Sequence, residues 1–180
     1  TLRDTGQDVH SVRIAKELIK RDLLVLSMGC GNGAMQVAGL CRPEASEFAG
    51  SGLRNLCQTL GIPPILSYGT CTDTGRIADL LTSISSALGN VPVSTLPVAA
   101  VAPEYMEQKA TIDAIFALAF GLYTYVNPVP TVTGAPNLVH LLTQDCKQLT
   151  GGILNVEKDP VQAANAILAH IETNRKKLGI

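Results

Sequence analysis

The sequence predicts an α/β domain, a doubly wound (Rossmann-like) parallel sheet with helices on both faces. Three observations predict it. Segments of helical periodicity alternate with short apolar runs along the chain. Runs such as Leu23–Leu24–Val25–Leu26 lack the apolar–polar alternation of a half-exposed strand, so they read as strands buried on both faces. Glycine, proline and helix-capping residues stand at the junctions between the two kinds of segment. With 180 residues, 46% of them apolar and 16% charged, the chain is long enough for one such domain with its own core.

Taken in order, Val9 to Arg21 reads as an amphipathic helix, with Val12, Ala15, Leu18 and Ile19 on one face. Strand Leu23–Leu26 leads into the turn Met28–Gly29–Cys30–Gly31–Asn32–Gly33, and a helix is expected from about Ala34. Ser46 to Leu60 reads as a further helix closed by Gly61 and Pro63. Ile65 to Tyr68 is the second strand; it ends at Gly69–Thr70–Cys71, with Thr72 or Asp73 placed to cap a helix running to Leu88. A strand from Val98 to Val101 precedes a helix from Pro103 to Phe120, with proline near the first turn, where its missing N–H costs little. Leu122 to Val126 is a strand, Asn127 to Pro136 a proline-rich loop, and Asn137 to about Gln148 a helix. Strand Ile153 to Val156 is followed by a helix opening at Asp159–Pro160 and carrying Arg175, Lys176 and Lys177 at its end, as the helix dipole favours. No linker, repeat or low-complexity tract divides the chain, so residues 1–180 read as a single domain.

With 14 basic and 15 acidic residues the formal net charge is -1, and no block of like charge offers a nucleic-acid or membrane-surface footprint. Apolar stretches are broken well before the ~20 residues needed to span a bilayer. The chain opens on Thr1 without a signal-peptide pattern, and the expectation is a fragment or processed chain in the cytoplasm. The five cysteines, Cys30, Cys41, Cys57, Cys71 and Cys146, are odd in number and irregularly spaced, which suits reduced thiols rather than a disulfide framework.

Chemistry concentrates in the turns. In a doubly wound sheet the ligand crevice lies beyond the carboxyl ends of the strands. There the sequence delivers Cys30, Cys71 and Ala102–Pro103–Glu104, with Lys109 in the first turns of the following helix. Gly29–Cys30–Gly31–Asn32–Gly33 has two readings. As a nucleotide loop it would lay glycine backbone against a cofactor. That reading lacks a second strand ending in an acidic residue, because the stretch around Phe48 to Arg54 reads as helix. Alternatively Cys30 is the point of the loop, the glycines allowing a bulky group to sit against the backbone. Gly69–Thr70–Cys71–Thr72–Asp73 repeats the logic, and a thiol at a helix N-terminus is biased toward the thiolate that binds metal. The plainer reading of each cysteine is an apolar filler under a turn. Two thiolates do not complete an iron or zinc site, so a metal here needs ligands from elsewhere.

The segment Ala15–Lys16–Glu17–Leu18–Ile19–Lys20–Arg21–Asp22, the Gly29–Cys30–Gly31–Asn32–Gly33–Ala34 loop and Ala38–Gly39–Leu40 are similar to the nickel–iron–sulfur carbon monoxide dehydrogenases. Pro63–Pro64–Ile65 before Gly69–Thr70–Cys71–Thr72–Asp73, and Ala102–Pro103–Glu104 before Glu107–Gln108–Lys109–Ala110, resemble the same family in order and spacing. The resemblance runs from about Ala15 to the final basic turn. Some of these pieces are shared with hybrid-cluster proteins of the same superfamily; the Cys-Gly-Asn-Gly-Ala loop favours the dehydrogenase side. The resemblance implies the C-terminal domain of a larger catalytic subunit, in which Cys30 ligates iron and Cys71 ligates nickel of a Ni-Fe-S cluster. Lys109 would donate a hydrogen bond to the bound carboxylate, a charge-stabilising role. The implied reaction is CO + H2O to CO2, two protons and two electrons. Additional 4Fe-4S clusters, a homodimeric assembly, a ferredoxin-type electron carrier and pairing with acetyl-CoA synthase are further implications. The remaining cluster ligands of the family lie upstream of the matching region, so this chain alone is expected to hold no complete cluster and to be inactive.

Thr70–Cys71–Thr72–Asp73–Thr74–Gly75 departs from the commoner Ser-Cys-Val-Asp-Asn-Ser of bacterial forms and leaves the branch open. Cys57, among Leu53, Leu56 and Leu60 at helical spacing, reads as core, and Cys41 and Cys146 as incidental. His10, His140 and His170 carry no readable role. Glu104 either orients Lys109 or favours its helix N-terminus. Two other functions stand beside the favoured one: a hybrid-cluster (Fe-S-O) reductase domain, and a non-catalytic nucleotide-binding or assembly domain.

Overall fold

A computed structural model of the chain describes residues 10–103, 108–129 and 132–180. It resolves into two compact units, residues 1–79 and 80–180, each with its own parallel sheet.

In the first unit, α1 (His10–Lys20) is followed by β1 (Val25–Ser27), α2 (Gly29–Val37), a 3-10 turn at Pro43–Phe48, α3 (Ser51–Leu60) and β2 (Ile65–Ser67). The apolar face of α1 forms as its spacing predicts: Val12, Ala15, Leu18 and Ile19 are all buried. Val12, Ala15 and Ile19 meet Met35, Leu40, Leu53, Cys57 and Ile65 in one core. On the solvent side Glu17 bridges Lys20 and Arg21 at 2.8 and 2.6 Å. The predicted helix from Ser46 begins instead at Ser51. The backbone is extended at Ala49, and the Gly50 N–H donates to Ile19 O at 3.0 Å. Asp22, in left-handed backbone at φ 62, reaches across so that its carboxylate accepts the Leu53 N–H at 2.8 Å. A Cβ on Gly50 would collide with that carboxylate, so the junction needs glycine there. Gly61 closes α3 in left-handed conformation at φ 65, as the sequence suggests.

α4 (Thr74–Ala87) connects to the second unit, where a 3-10 turn at Val93–Thr95 precedes β3 (Ala99–Ala102), α5 (Gln108–Ala119) and β4 (Tyr123–Val126). α6 (Pro136–His140), a π-helical segment Leu141–Asp145 and α7 (Cys146–Leu149) follow in the place of the single helix predicted there. β5 (Ile153–Val156) matches its predicted bounds, and α8 (Pro160–Leu178) is capped by the Asp159 carboxylate, which accepts from the Val161 and Gln162 N–H groups. Strand order is β3-β4-β5, all parallel, with Tyr123 opposite Ala99 and Ile153.

The two faces of this sheet read off β4, because neighbouring side chains point opposite ways. Val126 lines an apolar cluster with Leu118, Leu142 and Leu154 on one side. Tyr123 stacks on His170 of α8 on the other, ring centroids 4.7 Å apart. The buried Asn174 of α8 donates to Ser94 O and Leu96 O at 3.2 and 3.0 Å. The predicted parallel α/β architecture is therefore present. Among the described residues, hydrogen bonding gathers its strands into two sheets, of two and three strands, rather than one continuous sheet.

Candidate metal-binding edge

β1 and β2 pair in parallel, Val25 with Ile65 through Ser27 with Ser67. The pairing continues past both carboxyl ends: the Tyr68 N–H donates to Ser27 O at 2.8 Å and the Gly29 N–H to Gly69 O at 2.9 Å. The two cysteine turns are thereby held side by side.

The first turn is not the open loop expected before a helix at Ala34. Helix α2 starts at Gly29, so Cys30 lies in its opening turn, with Met28 as the N-cap in extended backbone and no side-chain cap. Gly29 has φ 64, and a Cβ there would stand 3.4 Å from Cys71 Cβ. Glycine at this position lets the strand bend into the helix directly against Cys71. Cys30 is exposed, and its N-terminal turn presents N–H groups with no helical partner, the backbone environment that favours an anionic ligand.

Cys71 is half-buried and opens a 3-10 turn, Cys71–Asp73, that continues into α4. The sequence places Thr72 or Asp73 as the cap; in the structure Thr70 is the N-cap, and Asp73 reciprocates in a capping box. The Thr70 N–H and hydroxyl both donate to Asp73 Oδ2, at 2.7 and 3.0 Å. These bonds, with the Arg76 guanidinium nearby, hold the Asp73 carboxyl below its usual range. The Thr74 hydroxyl donates to Cys71 O at 2.8 Å, fixing the cysteine backbone from the other side.

One residue that sequence reasoning passed over ties the two turns together. Asn32 is 5% exposed, and its side-chain amide donates to Ser67 Oγ at 2.8 Å and to Gly69 O at 3.3 Å. Its oxygen faces the Cys41 thiol at 3.9 Å. The signal was present in the Cys-Gly-Asn-Gly string, where a polar residue follows an apolar strand by a fixed offset, but its partner lies 35 residues away.

The other cysteines are packing residues in this structure. Cys57 is 2% exposed within the first core, and burial pushes its thiol up, as partial burial does for Cys41. Cys146 is buried against Leu118 and Leu142. His10 opens α1. His140 is paired with Asp145 at 3.3 Å across the π-helical segment, and burial, with the Lys177 charge, pushes His170 below its ordinary value where its ring stacks on Tyr123. Lys109 occupies the second position of α5, in the second unit; the preceding Glu104 lies outside the described residues. The expected gathering of two thiols and an ammonium at the edge of one sheet thus divides: Cys30 and Cys71 follow β1 and β2, and Lys109 follows the first strand of the three-stranded sheet.

Among the described residues no three His, Cys, Asp or Glu side chains are grouped to hold a metal ion. Two thiols at adjoining strand ends are soft donors of the kind iron, nickel and zinc accept, and they occupy only part of such a coordination sphere. By fold and donor type this is a parallel α/β protein presenting a cysteine-bearing strand edge. A sequence profile of the Prismane/CO dehydrogenase family matches residues 2–161, and the chain belongs to that family. It is 75% identical, over all 180 residues, to "Carbon monoxide dehydrogenase 2" of Methanosarcina mazei, spanning 28% of that protein. A Ni-free, as-isolated carbon monoxide dehydrogenase from Thermococcus sp. AM4 superposes with a TM-score of 0.89 at 43% identity, over 95% of this chain and 27% of that one. A structure of acetyl-CoA synthase/carbon monoxide dehydrogenase, with NiZn[Fe4S4] and NiNi[Fe4S4] clusters, gives a TM-score of 0.88 at 32% identity, over 96% and 27% of the two chains. The chain thus spans little more than a quarter of the length of the relatives it matches. Among the described residues no helix is long and apolar enough to cross a membrane.

Proposed function

We propose that this chain is one domain of a carbon monoxide dehydrogenase catalytic subunit and forms one wall of its Ni-Fe-S site. The observation that carries the reading is the zipped strand edge: two thiols on adjoining turns, locked by Gly29 N–H to Gly69 O and by Asn32, in a chain of this family. The bound cluster would supply the metal centre and electron sink for CO + H2O to CO2, two protons and two electrons. Cys30 and Cys71 would hold it, Cys30 toward iron and Cys71 toward nickel. Their helix-start N–H groups offset the negative charge that thiolate ligation gathers. The Lys109 ammonium would stabilise negative charge developing on oxygen as CO2 forms. The other ligands, and further 4Fe-4S clusters, would belong to the rest of the subunit. Two such subunits would assemble in the cytoplasm as a homodimer and pass electrons to a ferredoxin-type carrier. Pairing with an acetyl-CoA synthase is part of the same proposal.

Metal and activity measurements on the anaerobically purified full-length subunit test this. Nickel, iron and sulfide with CO oxidation are expected; Cys71→Ala should lose nickel, Cys30→Ala the whole cluster, and Lys109→Ala the turnover with metals retained. Iron and sulfide without nickel would identify a hybrid-cluster reductase. Absence of all metal would leave the cysteines as packing residues in a non-catalytic nucleotide-binding or assembly domain.

A further inference from the structure

Helix α5 is apolar nearly all the way round. From Thr111 to Phe120 the one ionisable residue is Asp113. Its inner face, Ala114, Ala117 and Leu118, is buried. Its outer face carries Ile112 at 64% exposure and Phe116 at 45%, with Ala119 also exposed, and the Phe116 and Phe120 rings stack at 5.7 Å. Positions 112, 116 and 119–120 follow the spacing of a continuous stripe along one side of a helix. A helix with apolar residues on every side belongs in an interior, and a stripe of this kind marks a surface that another element covers.

We propose that the outer face of α5 is the seat of the remaining polypeptide of the same subunit, an inference that rests on the reading of this chain as one domain of a longer subunit. One observation, together with the functional reading, favours that occupant over a second copy or a separate protein. The chain spans 28% of the length of its relative, so on that reading most of the polypeptide that could cover the stripe would lie outside residues 1–180. Lys109 stands at the start of this same helix, and on the functional reading above its site is completed by the rest of the subunit, which would bring that polypeptide to the N-terminal end of α5. The apolar stripe continues from that end in the next turns. The covering segment is expected to be apolar where it meets Ile112 and Phe116.

The test uses the full-length subunit with a benzophenone amino acid in place of Phe116. Irradiation should give a cross-linked product of single-chain mass whose mapped peptides lie outside the segment Thr1–Ile180. A product of doubled mass, peptides from within that segment, or no product at all would each overturn the assignment. In parallel, Ile112→Lys should lower the thermal midpoint of the full-length protein by roughly 2 °C or more, since a buried ammonium is costly, while Ile112→Leu leaves it unchanged; an unchanged midpoint for both variants overturns the assignment as well. Metal content and CO oxidation of the same preparations keep the two proposals apart: a protein without nickel that still gives the intramolecular product fails the functional reading and keeps the docking face.

Discussion

Replacing Asn32 by alanine should loosen the cysteine-bearing edge without unfolding the protein. The substitution removes the two hydrogen bonds the amide donates, 2.8 Å to Ser67 Oγ and 3.3 Å to Gly69 O, and the long, weak 3.9 Å bond it accepts from the Cys41 thiol. A buried neutral hydrogen bond contributes about 0.5–1.5 kcal/mol net. The second bond is long, and Gly69 O keeps its bond from the Gly29 N–H, so it counts toward the lower end. Ser67 is exposed and recovers a water partner. The loss is therefore about 1.5 kcal/mol, roughly a tenfold rise in the population of the opened edge. Amide hydrogen exchange in the full-length subunit reads this directly: the Gly29 and Tyr68 N–H groups, bonded across the two strand ends, should exchange roughly tenfold faster, with β4 and β5 unaffected. Exchange at Gly29 and Tyr68 within twofold of wild type would refute the clamp. An equal acceleration in both units would refute its local character.

Gly29→Ala should destabilise the protein by about 1–2 kcal/mol, the cost of left-handed backbone for an L-residue, while its Cβ would make only an ordinary 3.4 Å contact with Cys71; a thermal melt checks the loss, and unchanged metal content checks that Cys71 stays in place. The Asp73 carboxyl is held below its usual range by the Thr70 N–H and hydroxyl, so its folded form binds fewer protons than the unfolded chain. Its contribution is present above the unfolded pKa near 3.8 and is lost as pH falls through the lower folded value; Asp73→Asn should flatten that acid limb in a melt-versus-pH series. Tyr125 is 0% exposed, donates to Glu157 O at 2.9 Å, and is pushed up to about 12 by burial and by the Glu157 and Asp159 charges. The folded state thus keeps the proton longer than the unfolded state, and stability should fall as pH rises from about 10 toward 12. Tyr125→Phe should remove that alkaline loss and one late-ionising phenol in an ultraviolet titration.

The sequence by itself determined the kind of element at most positions, because one-sided burial of a helix leaves a local periodicity and the strands leave short apolar runs. The core face of α1, the five strands, the Asp159 cap and the Gly61 terminus are all of this kind. It also singled out Cys30 and Cys71, since each thiol sits in a glycine-bearing turn at the end of an apolar strand. Tertiary structure decided what depends on distant partners. α2 starts five residues earlier than Ala34, at Gly29, because the Gly29 N–H finds Gly69 O, 40 residues on. α3 starts late because Ile19 O and the Asp22 carboxylate claim the backbone at Gly50 and Leu53. Asn32 acquires its role from a serine on another strand, and the strands divide into two sheets by hydrogen bonds that no local pattern encodes. Local preference reaches across a few residues along the chain, whereas the positions of these two thiols are set by bonds between segments that meet only when the chain has folded.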